Sequence, residues 1–237
     1  MIKLYQTEWH NIKFNSFTNC DRQNIATEDF YNMFYKEFFE KYYSFDDLDK
    51  DWVNYKLLIA NQIVEMINDK KNILSIGCGV GIVEKHIANG LSTINITAIE
   101  PSKNVSKWIN EEDGIYLKNG YFPEVLDDNL KFDLIYTNAI DYVFDNKQYL
   151  EFLESIINYG IKEFLMISVS YYEPSIKLYI KEFIKDLVTP LGLYKRGQFW
   201  GYIRTVDEQI SIMKKAGFNS ITLEYQTNDT IILKAKV

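Results

Sequence analysis

Seven consecutive residues, Ser75-Ile76-Gly77-Cys78-Gly79-Val80-Gly81, place glycine at every second position directly after a short apolar run. Glycines so spaced let the backbone turn tightly and let a ligand approach where a Cβ would collide, while a helix starting behind them offers unpaired N–H groups. A dinucleotide fingerprint would need a further glycine at position 82, where Ile82 stands, so a pyrophosphate cradle is disfavoured. About twenty residues on, Glu100 closes a second apolar run. A carboxylate at that strand end is placed to accept both hydroxyls of a ribose, and this outweighs the plainer account of a surface acid. Three side chains could take a proton from a reacting group: His10, Tyr142 and His86. His10 belongs to Tyr5-Gln6-Thr7-Glu8-Trp9-His10, an aromatic and acidic segment able to fold over a pocket. His86 falls in the helix behind the glycine loop, on the side away from an acceptor, and reads as a solvated or packed histidine.

The elements that must position these groups follow from periodicity. Short apolar runs at 73–76, 94–99, 115–118, 132–137 and 164–169 alternate with helical patterns at 82–89, 102–110 and 147–159, which calls for parallel strands with crossover helices on both faces. Ahead of them, residues 1–70 form a helical, aromatic layer or lid. Phe30, Phe34, Phe38 and Tyr42 repeat every fourth residue behind Thr27, Glu28 and Asp29, and a second helix covers about 51–68. Residues 171–204 form a cap after the fifth strand, with a helix at 175–187 and an aromatic, basic loop, LYKRGQFWGYIR. Thr205 and Glu208 have capping-box spacing for a last helix that stops at Gly217. Strands at 220–226 and 230–236, with three residues between them, make an antiparallel hairpin.

Taken in this order, the motifs resemble those of the class I S-adenosylmethionine-dependent methyltransferases, from about residue 72 to the C-terminus. ILSIGCGVG is similar to the first motif of that family and TAIEPS to its second, which puts Ser75, Gly77, Cys78, Gly79, Gly81, Glu100 and Pro101 around the cofactor. KNGYFPE puts Gly120, Tyr121 and Phe122 near the adenine, and FDLIYTNAIDYVFD puts Asn138 and Ala139 at the methionine end. The resemblance implies an α/β, doubly wound, mostly parallel seven-stranded sheet whose last strand is antiparallel, over a single domain. Two departures stand out. Ser75 occupies the place of the family's usual carboxylate, without the charge-assisted part of a bond to the methionine ammonium, about 1.5–3 kcal/mol. The frequent Glu-His pair reads Asp141-Tyr142, with Asp145 following.

The composition bounds the acceptor. The chain of 237 residues has a net charge of -7, a field that repels phosphate backbones, so nucleic acid is a poor partner. No window is long and apolar enough for a membrane span, the start lacks a signal peptide, and two cysteines without disulfide or zinc spacing fit a cytoplasmic setting. At 28.0 kDa about 70% of the chain's surface can be hidden, so the 16% aromatic content has a core to fill or a pocket to line. Measured against the family, the sequence lacks the Pro-Pro-aromatic and Pro-Cys signatures of nucleobase methylation. Ser168-Val169-Ser170 also lacks the Asp-Asn pair of a magnesium site, so no metal is expected. What remains is a small molecule, methylated on oxygen before nitrogen, by a monomer or homodimer. Tyr142 and His10 are the catalytic candidates, and Trp9, Trp200 and Arg204 the acceptor-binding ones. Lys195, Arg196 and Arg204 suggest an acceptor with an anionic group, such as a phosphorylated or nucleotide-linked sugar or a carboxylic metabolite. The rival from another class is a non-catalytic cofactor-binding or regulatory protein of the same fold; a nicotinamide dehydrogenase is the third.

Overall fold

A computed structural model of the chain describes residues 2–67, 69–91, 93–127, 130–169, 176–189, 191 and 196–237. The elements, in chain order, are β1 (Ile2–Gln6), β2 (Glu8–Trp9), β3 (Ile12–Lys13), α1 (Glu28–Lys41), α2 (Lys50–Ile67), β4 (Asn72–Ile76), α3 (Ile82–Gly90), β5 (Asn95–Glu100), β6 (Ile115–Asn119), β7 (Leu134–Asn138), α4 (Asn146–Asn158), β8 (Glu163–Ser168), α5 (Ile176–Val188), β9 (Gln198–Ile203), α6 (Val206–Ala216), β10 (Ser220–Gln226) and β11 (Ile231–Lys236). Seven of the strands form one sheet in the order β10-β11-β8-β7-β4-β5-β6. From β8 through β7, β4 and β5 to β6 every pairing is parallel, and β11 runs antiparallel to both of its neighbours. This is the doubly wound sheet expected from the alternation of runs.

Alternating residues explain why the sheet is covered on both faces. Ile73, Ile96, Leu134, Tyr136 and Leu165 pack under Ile59, Ile63 and Ile67 of α2 and Ile87 of α3. Their immediate neighbours Leu74, Ile135, Phe164 and Met166 pack against Leu153 and Ile156 of α4 and Ile212 and Met213 of α6. With both faces buried, the strands read as continuous apolar runs. Each aliphatic side chain so hidden contributes about 1.5–3 kcal/mol. Caps set the helix boundaries: Thr27 Oγ1 accepts from the Phe30 N–H, Asp145 and Gln148 form a capping box at α4, and Thr205 and Glu208 form one at α6, which ends on Gly217 at φ 114°.

Two expectations fail. Residues 102–110 are not an α-helix but 3-10 turns at Val105–Trp108 and Glu111–Asp113. Val105 is fully buried, Trp108 packs on Phe38, Phe39 and Phe45, and Ile109 lies against Gly81. Lys85 Nζ anchors the stretch by donating to the Trp108 carbonyl at 2.8 Å. Tight turns satisfy these apolar anchors, and the polar Ser102-Lys103-Asn104 opening favours a turn over a helix start deep in the segment. Second, the N-terminal layer is not wholly helical. β1 pairs antiparallel with β9, from the stretch read as a cap, and β2 and β3 form a small hairpin before α1. The early aromatic periodicity concealed these strands because β1, IKLYQ, is too short to show alternation clearly.

A third apolar cluster joins this layer to the sheet. Phe14, Phe30, Phe34 and Phe38 are buried with Trp200 of β9, and Phe14 stacks on Trp200 with ring centres 5.2 Å apart. Much of the aromatic content sits here, directly above the carboxyl ends of β4, β5 and β7.

Candidate active site

β4 is where the strand order reverses, with β5 on one side and β7 on the other, and a crevice opens beyond the carboxyl ends of the strands there. The loop leaving β4 is drawn across this opening. The N–H groups of Gly77 and Cys78 donate to the Ile99 carbonyl at 2.8 and 3.2 Å, and Gly77, Gly79 and Gly81 all adopt left-handed φ, at 77°, 56° and 78°. A Cβ on Gly77 would stand 2.4 Å from Ile140, and one on Gly81 2.5 Å from Ile109, so those two glycines are required by packing as well as by φ. Gly79 differs, since a Cβ there would meet within 4 Å only the Tyr35 hydroxyl, at 3.7 Å. Its Cα side faces open space.

Glu100 spans from the end of β5 to the loop. One carboxylate oxygen accepts from the Gly79 N–H at 3.0 Å and the other from the Ser102 N–H at 3.0 Å. Burial pushes its carboxyl above the usual range despite these two bonds. A cavity of about 700 Å³ extends from here to the aromatic layer, within the size range of ligand sites. Gly77, Cys78, Gly79, Glu100, Pro101, Gly120, Tyr121, Phe122, Asn138 and Ala139 line one end of it. Asn138 Oδ1 is buried without a hydrogen-bond partner, and Ala139 holds a left-handed φ of 60° while its N–H donates to the Ile167 carbonyl. Tyr121 is mostly exposed at the rim and donates to Glu28 at 2.8 Å, while Phe122 packs edge-on to Phe152.

The other end is aromatic. Trp9, His10, Tyr31, Tyr35, Phe38, Trp52, Tyr142 and Trp200 all contribute to its wall. Trp9 stacks on Phe34 at 4.9 Å and meets Trp200 edge-on at 5.7 Å; Tyr142 lies parallel to Trp200 at 6.3 Å. β9 can press against Tyr142 this closely because it carries Gly201, where a Cβ would stand 2.4 Å from the Tyr142 carbonyl oxygen. His10 sits in the turn of the β2–β3 hairpin at φ 48°, its carbonyl accepting from the Tyr42 hydroxyl at 2.6 Å and its ring 4.6 Å from Trp52. Burial, reinforced by the positive charge of Lys56, lowers the imidazole to about 4, so at neutral pH it is uncharged and can accept a hydrogen bond but is a weak base.

Several candidates take other roles than those expected. Arg204 does not reach the cavity. It is fully buried, donating to Asn146 Oδ1 at 3.0 Å, the Asp141 carbonyl at 2.8 Å and the Phe144 carbonyl at 2.6 Å, with its guanidinium over Tyr149. It ties β9 to the loop after β7 and is structural. Arg196 is also buried, paired with Glu182 at 2.9 Å and stacked on Tyr5, and Lys195 lies outside the described residues. The two arginines expected to read an anionic acceptor are thus absent from the cavity wall. Ser75 does not line the cavity either; buried in β4, its hydroxyl donates to Glu84 Oε1 at 2.7 Å, where the Tyr136 hydroxyl also donates. Tyr142 lines the cavity, but burial pushes its phenol up to about 12, which makes it a hydrogen-bond donor and not a general base at neutral pH. His86 is bonded to Asn61 on the surface.

Two polar residues of the site escaped the sequence reading. Lys56 lines the aromatic end, and Glu84 is buried beneath the glycine loop with one oxygen unpartnered. A signal existed for both. Lys56 falls four residues after Trp52 and three before Ile59, inside the apolar stripe of α2, and Glu84 falls three before Ile87 in that of α3.

Among the described residues, no group of three or more His, Cys, Asp or Glu is placed to hold a metal ion, and no helix is long and apolar enough to cross a membrane. No protein-family model matches the chain, and no curated protein matches it by sequence. Solved structures do match its fold. Human N-acetylserotonin methyltransferase in complex with SAM superposes with a TM-score of 0.60 at 14% identity, over 89% of this chain and 56% of that one. The mitomycin 7-O-methyltransferase MmcR gives 0.57 at 17% identity, over 77% and 54%. Magnesium protoporphyrin IX methyltransferase from Synechocystis PCC 6803 with bound SAH gives 0.60 at 12% identity, over 88% and 96%. The chain therefore spans little more than half the length of the first two and nearly all of the third. Strand order, antiparallel closing strand and these superpositions agree that the chain has the fold of the class I S-adenosylmethionine-dependent methyltransferases.

Proposed function

We propose that the chain is an S-adenosylmethionine-dependent methyltransferase acting on an oxygen of a small aromatic molecule. The observation that carries the first half is the left-handed glycine loop bonded across to Glu100. Its residues fit the cofactor on their own chemistry. Gly79 leaves room where a Cβ would intrude, the Glu100 carboxylate is available to ribose hydroxyls, and the orphaned Asn138 Oδ1 is an acceptor suited to an ammonium or amide donor. Phe122 and Tyr121 border the space for an adenine ring. When bound, S-adenosylmethionine supplies a methyl group on a positively charged sulfur. The protein's part is to hold the accepting atom close and in line, and to keep water away.

The aromatic end supports the second half. Trp9, Trp52 and Trp200 present ring faces and edges, and aromatic contacts add about 0.5–1.5 kcal/mol each beyond burial. A planar ring matches this wall. His10, neutral at pH 7, accepts a hydrogen bond from the accepting hydroxyl on an imidazole nitrogen and the Tyr142 phenol donates one, so both position the acceptor rather than take its proton.

Calorimetric titration with S-adenosylhomocysteine tests the cofactor half, and labelled S-adenosylmethionine incubated with a panel of hydroxyaromatic compounds tests the acceptor half. Binding together with a labelled methyl ether is the expected result. Absence of binding removes the reading; binding without turnover across the panel favours a cofactor-binding protein.

A further inference from the structure

Lys56 is the one lysine or arginine that lines the cavity among the described residues. Its ammonium makes no hydrogen bond or ion pair to any described residue; it lies 5.6 Å from the Trp52 ring centre and 5.9 Å from that of Tyr55. Trp52 is also the ring against which His10 packs, at 4.6 Å. The cation and the imidazole therefore flank one indole in the wall of the acceptor end. A half-buried ammonium without a partner gives up hydration and gets little back from two ring faces. An apolar chain of the same length would cover this wall without that cost. Desolvation draws Lys56 down to about 8, opposed by the negative charge of buried Glu84 behind it in α3. The ammonium form thus persists at neutral pH.

We propose that Lys56 binds an anionic oxygen carried by the aromatic acceptor, so that the substrate class is an aromatic acid, ionised as a phenolate or as a ring carboxylate. The inference rests on the methyltransferase reading of this cavity and deepens it. The ring occupies the space among Trp9, Trp52 and Trp200, and the anion supplies the ammonium with the partner it lacks. A phenolate there is the nucleophile itself, already without its proton; a carboxylate is an anchor that leaves a separate hydroxyl facing His10.

Tryptophan fluorescence quenching at pH 7 with four probes tests this. Benzoate is paired with its neutral isostere benzamide, and 4-nitrophenolate with 4-nitroaniline. The expected result is that one anion binds at least tenfold more tightly than its neutral partner, the scale of a charge-assisted bond. The preference disappears in Lys56→Met and largely returns in Lys56→Arg. Which pair discriminates tells carboxylate from phenolate. Methionine matches the lysine stem in shape, so both variants should melt close to wild type. No discrimination in the wild type, no binding by any probe, or a preference that survives Lys56→Met overturns the proposal. Titrating the same preparations with S-adenosylhomocysteine reports separately on the cofactor half, so an intact cofactor site with no anion preference removes this inference alone.

Discussion

Replacing Arg204 separates a structural arginine from an acceptor-binding one. In Arg204→Ala, Asn146 Oδ1 and the carbonyls of Asp141 and Phe144 lose donors at 3.0, 2.8 and 2.6 Å. Only the Asp141 carbonyl bond is fully buried; a buried acceptor left bare costs about 1–3 kcal/mol, the part-buried ones less, and such losses overlap when they share one donor. Asp141, buried and held by Ser168 and Gln209, also loses its nearest positive charge. Breaking a buried charged network from one side costs about 3–5 kcal/mol. Taking about 4 kcal/mol, and 2–4 °C per kcal/mol for a domain of this size, the melting temperature should fall by roughly 8–16 °C. Arg204→Lys keeps the charge but not the fork, and should fall between the two. Differential scanning fluorimetry reads the shift, and S-adenosylhomocysteine titration below the transition checks that the folded fraction binds normally. A melting temperature within about 2 °C of wild type, with a weakened acceptor, would refute the structural assignment.

Glu100→Ala should weaken S-adenosylhomocysteine binding by about 10- to 100-fold in calorimetry, through loss of charge-assisted bonds of about 1.5–3 kcal/mol, while the fold survives. Gly79→Ala and Gly81→Ala should diverge. Both carry a left-handed φ penalty of about 1–2 kcal/mol, but only at Gly81 does the new Cβ collide with Ile109. Gly79→Ala should therefore melt only a few degrees below wild type and lose the cofactor, whereas Gly81→Ala should lose more stability. For His10, the folded pKa of about 4 lies below the ordinary 6.5. The unfolded chain binds the extra proton between those values, so this group's contribution is complete above pH 6.5 and is lost as pH falls towards 4, by up to about 3 kcal/mol. Asparagine tolerates a left-handed φ. The difference in urea-unfolding free energy between wild type and His10→Asn should accordingly shrink across that interval, and a constant difference would count against a buried neutral imidazole.

How much of this was legible in the sequence depended on whether a residue's role is local. Alternating apolar runs with caps at Thr27, Thr205 and Gly217 gave the sheet and its helices, because period and capping act within one element. The glycine loop and Glu100 were legible for the same reason: a strand, a turn and a helix start fix them. Pairing of β1 with β9 spans almost the whole chain, and nothing in five residues of IKLYQ announces its partner. Arg204 misled because an arginine in a basic, aromatic stretch looks available, and only the fold shows three acceptors converging on it. The helix expected at 102–110 failed because Val105, Trp108 and Ile109 are drawn to three different neighbours.

Ser75 and Lys56 make the same point from the side of charge. Sequence alone marks Ser75 as a loss, a hydroxyl where a carboxylate would serve the ligand directly. In the folded chain that hydroxyl and the Tyr136 phenol both donate to one oxygen of Glu84, which leaves a buried acid under the loop with its second oxygen unpartnered. Burial raises the Glu84 carboxyl, the two donors and Lys56 pull it back, and Lys56 is in turn held cationic by it. The negative charge under the loop and the positive charge in the aromatic wall thus bias each other through space, without a hydrogen bond or ion pair between them, from α3 and α2, neither of which carries the strand-end motifs. Coupling of this kind is invisible to a motif, because each member is only a polar residue on an otherwise apolar helical stripe. Such interruptions cost stability that an aliphatic residue would supply, which makes them places to look for function when the strand-end residues themselves depart from pattern.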